Sequence, residues 1–322
     1  MAGVRNIVLA GLMMLGGATG AVALSEGRAQ SVPVQGASGR GGQGTPITSL
    51  LGRVLMPRPS NAAVDSAREA LARQPNDPDV LFAAGQAYDG VWQFGESIAL
   101  YTRAIALAPK DARALSLRGQ RYLSTRQFER AITDLEQARR LAPQSFHSLY
   151  HLGLAYYYVG RYVVAASTLG SCAETPQRVH GAPGTAVTLD RRDCDDLHDG
   201  LRYALASWRS AALSRAGRHA EAKAVLEKLP APQGDVPEGR WYVDAVDIAR
   251  GRKPDTLWNS VRVNGGGVLT IGYALANLSI VRGDSIKGCR ILRELVSREE
   301  WPGFGYIAAE VDLARGRCNG VK

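Results

Sequence analysis

The sequence predicts an all-α fold of stacked antiparallel helix pairs, on three observations. Gly85, Gly119 and Gly153 recur at one constant step, each preceded by Leu81, Leu115 or Leu149 and followed by Tyr88, Tyr122 or Tyr156 at constant offsets. Apolar residues return at the helical period, and no useful length alternates at period 2. The turns Ala216-Gly217-Arg218, Arg250-Gly251-Arg252, Arg282-Gly283-Asp284 and Arg315-Gly316-Arg317 recur at steps of 34, 32 and 33. One helix pair cannot bury its apolar face alone, so neighbours must stack. At 322 residues the chain is long enough for about two domains or one elongated array.

In chain order, Met1–Asn6 carries one Arg, Ile7–Leu24 is apolar or small, and Ala21-Val22-Ala23 forms a small-x-small cleavage site. That layout predicts a secretory signal peptide over 1–23, with a second possible cut after Ala29. A retained anchor is the alternative, but Ile7–Leu24 is interrupted by four glycines, whereas a span wants ~20 strongly apolar positions. Export implies an oxidising compartment, periplasmic or secreted. Residues 24–43 are rich in Gly, Ser and Gln with no aromatic side chain, which predicts a flexible linker. No later stretch is long and apolar enough to span a membrane.

Residues 44–172 form the N-terminal array. Ile47, Leu50, Leu51 and Val54 have the i, i+3, i+4, i+7 spacing of a first helix, and Thr45-Pro46 suits its start. Ala63, Ala70 and Pro75 stand one full step before Ser97, Ala104 and Pro109, as the second helix of that unit should. In the next three units the columns are Phe94/Phe128/Tyr162, Ser97/Ala131/Ala165 and Ala104/Ala138/Cys172, with Pro109 and Pro143 closing two of them. Gly and Ala at fixed places let the two helices of a unit approach closely, and the Tyr and Phe columns fill the groove between them. Pro ends the second helix because it cannot continue a helix interior.

These registered columns resemble the tetratricopeptide repeat, a helix–turn–helix unit of about 34 residues. The resemblance is most complete over 78–172, less so over 44–77 and 198–232, and least beyond. It implies a right-handed α-solenoid whose first and second helices, A and B, form an inner and an outer layer. The glycines at 217, 251, 283 and 316 fit the turn between A and B, where positive φ costs Gly nothing. The C-terminal half, 198–322, therefore reads as degenerate repeats of the same kind. Gly160 and Gly217 are equivalent turn glycines that lie well over one unit apart, and the surplus falls on Ala173 to Asp195. That surplus predicts an inserted loop over 173–197, which a solenoid tolerates at a unit boundary.

The net charge is +9, from 39 basic and 30 acidic residues, and 33 of the basic ones are Arg. Signs alternate along the chain, as in Arg126, Glu129, Arg130, Asp134 and Glu136, and no basic cluster with stacking aromatics stands out. A solvated mixed surface is expected, and no nucleic-acid partner.

Four cysteines in an exported chain invite disulfides, with three possible pairings. Cys172 ends one B helix and Cys194 precedes the next A helix; Cys289 lies early in the last B helix and Cys318 follows the final A helix. The expected pairs are Cys172–Cys194 and Cys289–Cys318, with buried free thiols the alternative, since Cys172 stands in an Ala column. No Cys-x-x-Cys is present, which argues against redox catalysis and a zinc ribbon.

His147 and His151 have the i, i+4 spacing of a zinc site, but Ser148 stands where a catalytic Glu belongs and no third ligand is near. In chaperone-binding tetratricopeptide proteins a carboxylate clamp takes two basic residues from the third unit's A helix, and these positions match His147 and His151. The other clamp positions fall on Phe82, Gln86 and Leu117, where that family has Lys and Asn, so the clamp is not preserved. Asp190, Asp193, Asp195, Asp196 and Asp199 crowd the end of the insert. Cys194 and Leu197 interrupt any calcium-loop pattern, and carboxylates ahead of a helix are favourable by ~0.3–1 kcal/mol each without a metal. The glycine runs Gly39–Gly44 and Gly265–Gly267 lack the Lys-Ser/Thr of a phosphate loop, and no Gly-x-Ser-x-Gly occurs.

Neither catalysis, a cofactor nor a metal is expected; the resemblance implies protein or peptide binding. Its inner surface is made by A-helix positions that fall here on Asp79, Phe82, Gln86 and Asp89; on Arg113, Ser116, Gln120 and Leu123; and on His147, Tyr150, Leu154, Tyr157 and Tyr158. Of these, Phe82, Tyr150, Tyr157 and Tyr158 would supply rigid aromatic contact, and Arg113 a directional charge. The alternative for several of the tyrosines is packing in the core, as Tyr156 of the Tyr column should. A structural accessory subunit of an envelope or secretion assembly is the competing reading, and an enzyme with a degenerate repeat half the least favoured.

Overall fold

A computed structural model of the chain describes residues 44–177, 192–233, 236, 239–265 and 267–321. The expected signal segment and linker and the middle of the expected insert, with Asp190, lie outside the described residues, as does Gly266 of the glycine run.

The fold is an all-α array of helix pairs. After α1 (Ala62–Arg73) come α2 (Pro78–Gly90) with α3 (Phe94–Leu107), α4 (Ala112–Ser124) with α5 (Phe128–Leu141), and α6 (Phe146–Tyr158) with α7 (Tyr162–Ala173). The C-terminal half continues with α8 (Asp199–Arg215) and α9 (His219–Glu227), α10 (Arg240–Ala249) and α11 (Leu257–Asn264), and α12 (Val268–Val281) and α13 (Ser285–Leu295). A single helix, α14 (Phe304–Ala314), follows.

Local chemistry sets these boundaries. Asp77, Asp111 and Ser145, a further column of the same repeat, cap α2, α4 and α6 by accepting backbone N–H groups of their first turns. Pro109 and Pro143 stand two residues beyond α3 and α5. A Cβ on Gly85 would lie 2.5 Å from the Tyr101 ring, and one on Gly153 2.5 Å from Leu169 Cγ, which is why that column is glycine. The A–B turns need a left-handed residue. Gly160, Gly217, Gly251 and Gly283 supply it, and Gly316 does the same after α14, but in the first two complete units the position is held by Trp92 (φ 60°) and Arg126 (φ 61°).

The expected helix over Ile47–Val54 is instead a short hairpin, β1 (Ile47–Thr48) against β2 (Val54–Leu55), joined antiparallel. Gly52 at φ 77° and the Ser49 hydroxyl, which accepts from the Leu51 and Arg53 amides, favour the turn locally. Four apolar residues at helical spacing are too few to outweigh that. Leu50 and Leu51 remain exposed.

The cysteines stand as expected from their places in the repeats: Cys172 joins Cys194 and Cys289 joins Cys318, at Cα separations of 5.1 and 5.6 Å. The described ends of the insert are also held by backbone bonds, Phe146 N–H to Arg192 O and Cys194 N–H to Gln144 O. Asp196 faces Arg192 and Asp199 faces Arg202, and Asp199 lies in the first turn of α8. No helix among the described residues is long and apolar enough to cross a membrane.

The feature that sequence did not anticipate is the seat of α14. Trp301, just before it, packs edge-on against Trp92 and Phe94. Glu310 pairs with Arg126 at 2.6 Å, with side-chain exposures of 0% and 3%, and also accepts from the Leu50 amide. Arg315 donates to Tyr158 O and lies against Gly160. The segment from Trp301 to Arg315 therefore meets the turn residues 92, 126 and 160 in succession. The 11 residues of α14 span roughly 16 Å, about twice the 8–10 Å spacing of packed helices, so the match over three units is geometrically natural.

Candidate functional site

The inner-face residues divide by unit. On α2, Asp79 and Gln86 are exposed, Phe82 is buried beneath the Arg113 guanidinium at 4.9 Å, and Asp89 accepts from the Tyr101 hydroxyl at 2.7 Å. On α4, Arg113 reaches Asp111 at 2.7 Å and Asp79 at 3.3 Å, Ser116 and Leu123 are buried, and Gln120 is half-buried. On α6, His147, Tyr150, Leu154, Tyr157 and Tyr158 are all buried. The third unit is closed because the C-terminal helices fold against it. The Tyr150 hydroxyl bonds that of Tyr242 on α10, Tyr157 that of Tyr273 on α12, and Tyr158 donates to Phe304 O at the head of α14. Arg215, itself paired with Asp312, and Tyr273, which donates to Asp312, extend this polar chain through the core. These α6 residues are interior and do not form the expected groove. The apolar and aromatic character that suggests a ligand surface also suits an internal seam, and the repeat pattern has no means of distinguishing the two.

His147 and His151 belong to the same seam. His147 Nδ1 faces the Ser116 hydroxyl at 2.7 Å and Nε2 faces Gln120 Oε1 at 3.1 Å, which fits a neutral ring protonated at Nε2. His151 Nδ1 bonds His147 O at 2.7 Å, and its ring meets Phe304 edge-on. Burial, with the Arg121 charge, holds the His147 pKa down to about 3; burial and then His147 push His151 well below the ordinary imidazole value. Each ring is neutral in the fold but takes up a proton when unfolded, from about pH 6.5 downward. Stability is thus intact above that pH and falls as acid is added toward the folded-state value. For His147 alone the loss at pH 5 is about 2 kcal/mol. Urea melts at pH 7.5 and 5 should show it, and His147→Gln should shrink the difference by about that share, the His151 part remaining. Among the described residues no three His, Cys, Asp or Glu side chains gather as a metal site.

An open concavity lies instead in the C-terminal half. Helices α8, α9, α10 and α12, with the Gly303–Gly305 segment, surround a cavity of about 960 Å³. Trp208, Tyr242 and Tyr273 line its deep wall, where the Trp208 and Tyr273 rings stack at 5.4 Å. Its turn-side mouth carries Lys223, Arg252 and Arg282, with the Arg250 side chain buried beside them. The Arg250 guanidinium turns back to Leu226 O and Leu229 O, tying α10 to the end of α9 and fixing that side of the mouth. The volume is at the upper end of the ~300–1,000 Å³ usual for ligand pockets. The sequence offered one signal for it, the Arg flanking successive turn glycines at 250–252 and 282–283, which spacing alone assigned only to the turn.

A family model described as anaphase-promoting complex, cyclosome, subunit 3 matches residues 92–172. Among solved structures, YrrB, described as a TPR protein with an unusual peptide-binding site, aligns at TM-score 0.43 and 13% identity over 79% of this chain and all of its own. MamA of AMB-1 aligns at 0.36 and 18% identity over 53% of this chain and 94% of its own. The P58(IPK) TPR domain aligns at 0.21 and 11% identity over 80% and 94% of the two chains. No curated protein matches the chain. With the helix pairs, capped A helices and close-approach glycines described above, the match identifies residues 92–172 as repeats of the tetratricopeptide type within an all-helical array.

Proposed function

We propose that this protein is an exported scaffold of the cell envelope that binds a protein or peptide without catalysing a reaction. The observation that carries the reading is the C-terminal cavity, with its stacked aromatic wall and basic mouth. A repeat array presents its inner layer to partners, and here that layer is sealed at α6 but open between α8, α10 and α12. Asp79 and Gln86 at the N-terminal end are a second accessible stretch. Export is supported by the 1–23 segment and by two cysteine pairs at bonding distance, which suit an oxidising compartment. Binding without catalysis is supported by the Ser116–His147 pair, which is buried and backed by the amide of Gln120 rather than a carboxylate.

The sealing of α6 favours a second reading, a structural subunit that uses its outer surface. Pull-down with the full chain from an envelope fraction, followed by tandem mass spectrometry, tests both. The scaffold reading expects a defined partner whose capture Trp208→Ala or Arg282→Gln reduces, while Asp79→Lys with Gln86→Arg reports on the N-terminal stretch. A partner retained by all these variants supports the subunit reading instead. N-terminal sequencing of the exported protein should find Leu24 or Gln30 first; recovery of Met1 in the cytosol alone would overturn export.

A further inference from the structure

The cavity wall contains a polar group without a partner. Asn277, midway along α12, lines the cavity at 6% exposure, and its Oδ1 accepts no hydrogen bond. An amide oxygen left buried without a donor is destabilising, so this wall is incomplete until something supplies one. A side-chain amide offers donors and an acceptor together, which complements a peptide group; a carboxylate or phosphate only accepts.

The mouth has a separate requirement. Arg252 and Arg282 close successive turns, and neither has a carboxylate partner among the described residues. Glu227, the carboxylate in the cavity lining, already faces Lys223 at 3.5 Å. From Asn277 toward Arg282 the α12 lining continues with Leu278 and Val281, and α10 contributes Ala245 and Ala249. An extended chain could pass there without burying a charge.

We propose that this cavity binds an acidic peptide segment, with a main-chain amide against Asn277 and a carboxylate side chain between Arg252 and Arg282. The assignment rests on the scaffold reading above and specifies its ligand. Phosphate or a free organic acid satisfies the arginines but not the Asn277 acceptor, and a neutral peptide does the reverse. Arg250 acts as a positioning residue, because its Nε and Nη2 donate to the Leu226 and Leu229 carbonyls.

The test uses the full chain and two fluorescein-labelled, end-blocked decapeptide pools, one with Glu at alternate positions and one with Gln there. Anisotropy should give the Glu pool at least about tenfold the affinity of the Gln pool, weakening with added salt. The Arg252→Gln, Arg282→Gln double variant should lose about tenfold toward the Glu pool, and Asn277→Leu a similar factor. Melting and circular dichroism check that each variant is folded, and Asn277→Ser serves if the Leu variant is not. Arg73→Gln with Arg139→Gln, two exposed arginines on α1 and α5, should change nothing; an equal loss there would reduce the effect to net charge and overturn the site. Equal binding of the two pools, or affinity unmoved by the cavity variants, overturns it too. A partner captured from the envelope that the double arginine variant still holds but Trp208→Ala releases refutes the assignment while leaving the scaffold reading intact.

Discussion

Replacing Glu310 by Ala should destabilise the protein by about 3–5 kcal/mol, the largest effect expected of any single charged residue here. Arg126 would keep its charge in a site with side-chain exposure of 3% and lose its carboxylate partner, and the Leu50 amide would lose its acceptor. The pair itself need not stabilise by that amount, since bringing two charges out of water offsets much of their attraction. The diagnostic is therefore a cycle. Glu310→Ala and Arg126→Met should each be severe, and the double variant should recover part of the sum. Equilibrium urea unfolding measures all three. A loss below about 1 kcal/mol for Glu310→Ala would mean that the pair is hydrated, and that the closure of α14 over the first repeats is looser than described.

The second large effect is at Tyr157. Its ring is 3% exposed, packs edge-on against Trp208, Tyr162 and Tyr273, and its hydroxyl bonds that of Tyr273 at 2.6 Å. Tyr157→Ala should cost about 3–5 kcal/mol by leaving a cavity where four helices meet. Tyr157→Phe isolates the hydroxyl and should cost about 0.5–1.5 kcal/mol. Burial pushes the Tyr157 phenol up to about 12, so its neutral form persists through the working pH range. The neighbouring Tyr156, also buried, donates to Glu136 on α5 of the preceding unit, and Tyr156→Ala should lower stability without disturbing the C-terminal half. Thermal melts of the variants decide between a core and a surface role. If Tyr157→Ala leaves the melting temperature unchanged, α6 is open in solution and its residues return as a binding face.

The repeat columns were legible because they encode local contacts. Gly85, Gly119 and Gly153 meet side chains sixteen residues on, in the same unit, and the capping residues act within one turn. The cysteine partners were legible for the same reason, given the places of helices A and B. Residues 47–54 were not, because a helical spacing of four apolar positions competed with a turn centred on Ser49 and Gly52, and the hairpin also leans on Glu310, 260 residues away from Leu50. The seat of α14 was likewise invisible to periodicity. Its one trace lies at positions 92 and 126, where Trp and Arg stand in a column that otherwise holds glycine. A left-handed bulky residue is retained where its surroundings demand it, and both of these touch the C-terminal segment. The sealing of the third unit follows from that same long-range contact.

In an array where each repeat touches only its neighbours, opening begins at a terminus and propagates, so the last helix exchanges its amide hydrogens first. Here the last helix is seated on the turns of three early repeats, and releasing it means parting Trp301 from Trp92, Glu310 from Arg126 and Arg315 from Tyr158 together. The amides of α14 should then be among the slowest to exchange, with the same free energy as those of α4 and α6. The C-terminal end should therefore open as a clasp opens, all at once, and a partner that needs the inner face of the third repeat would have to bear the cost of undoing it.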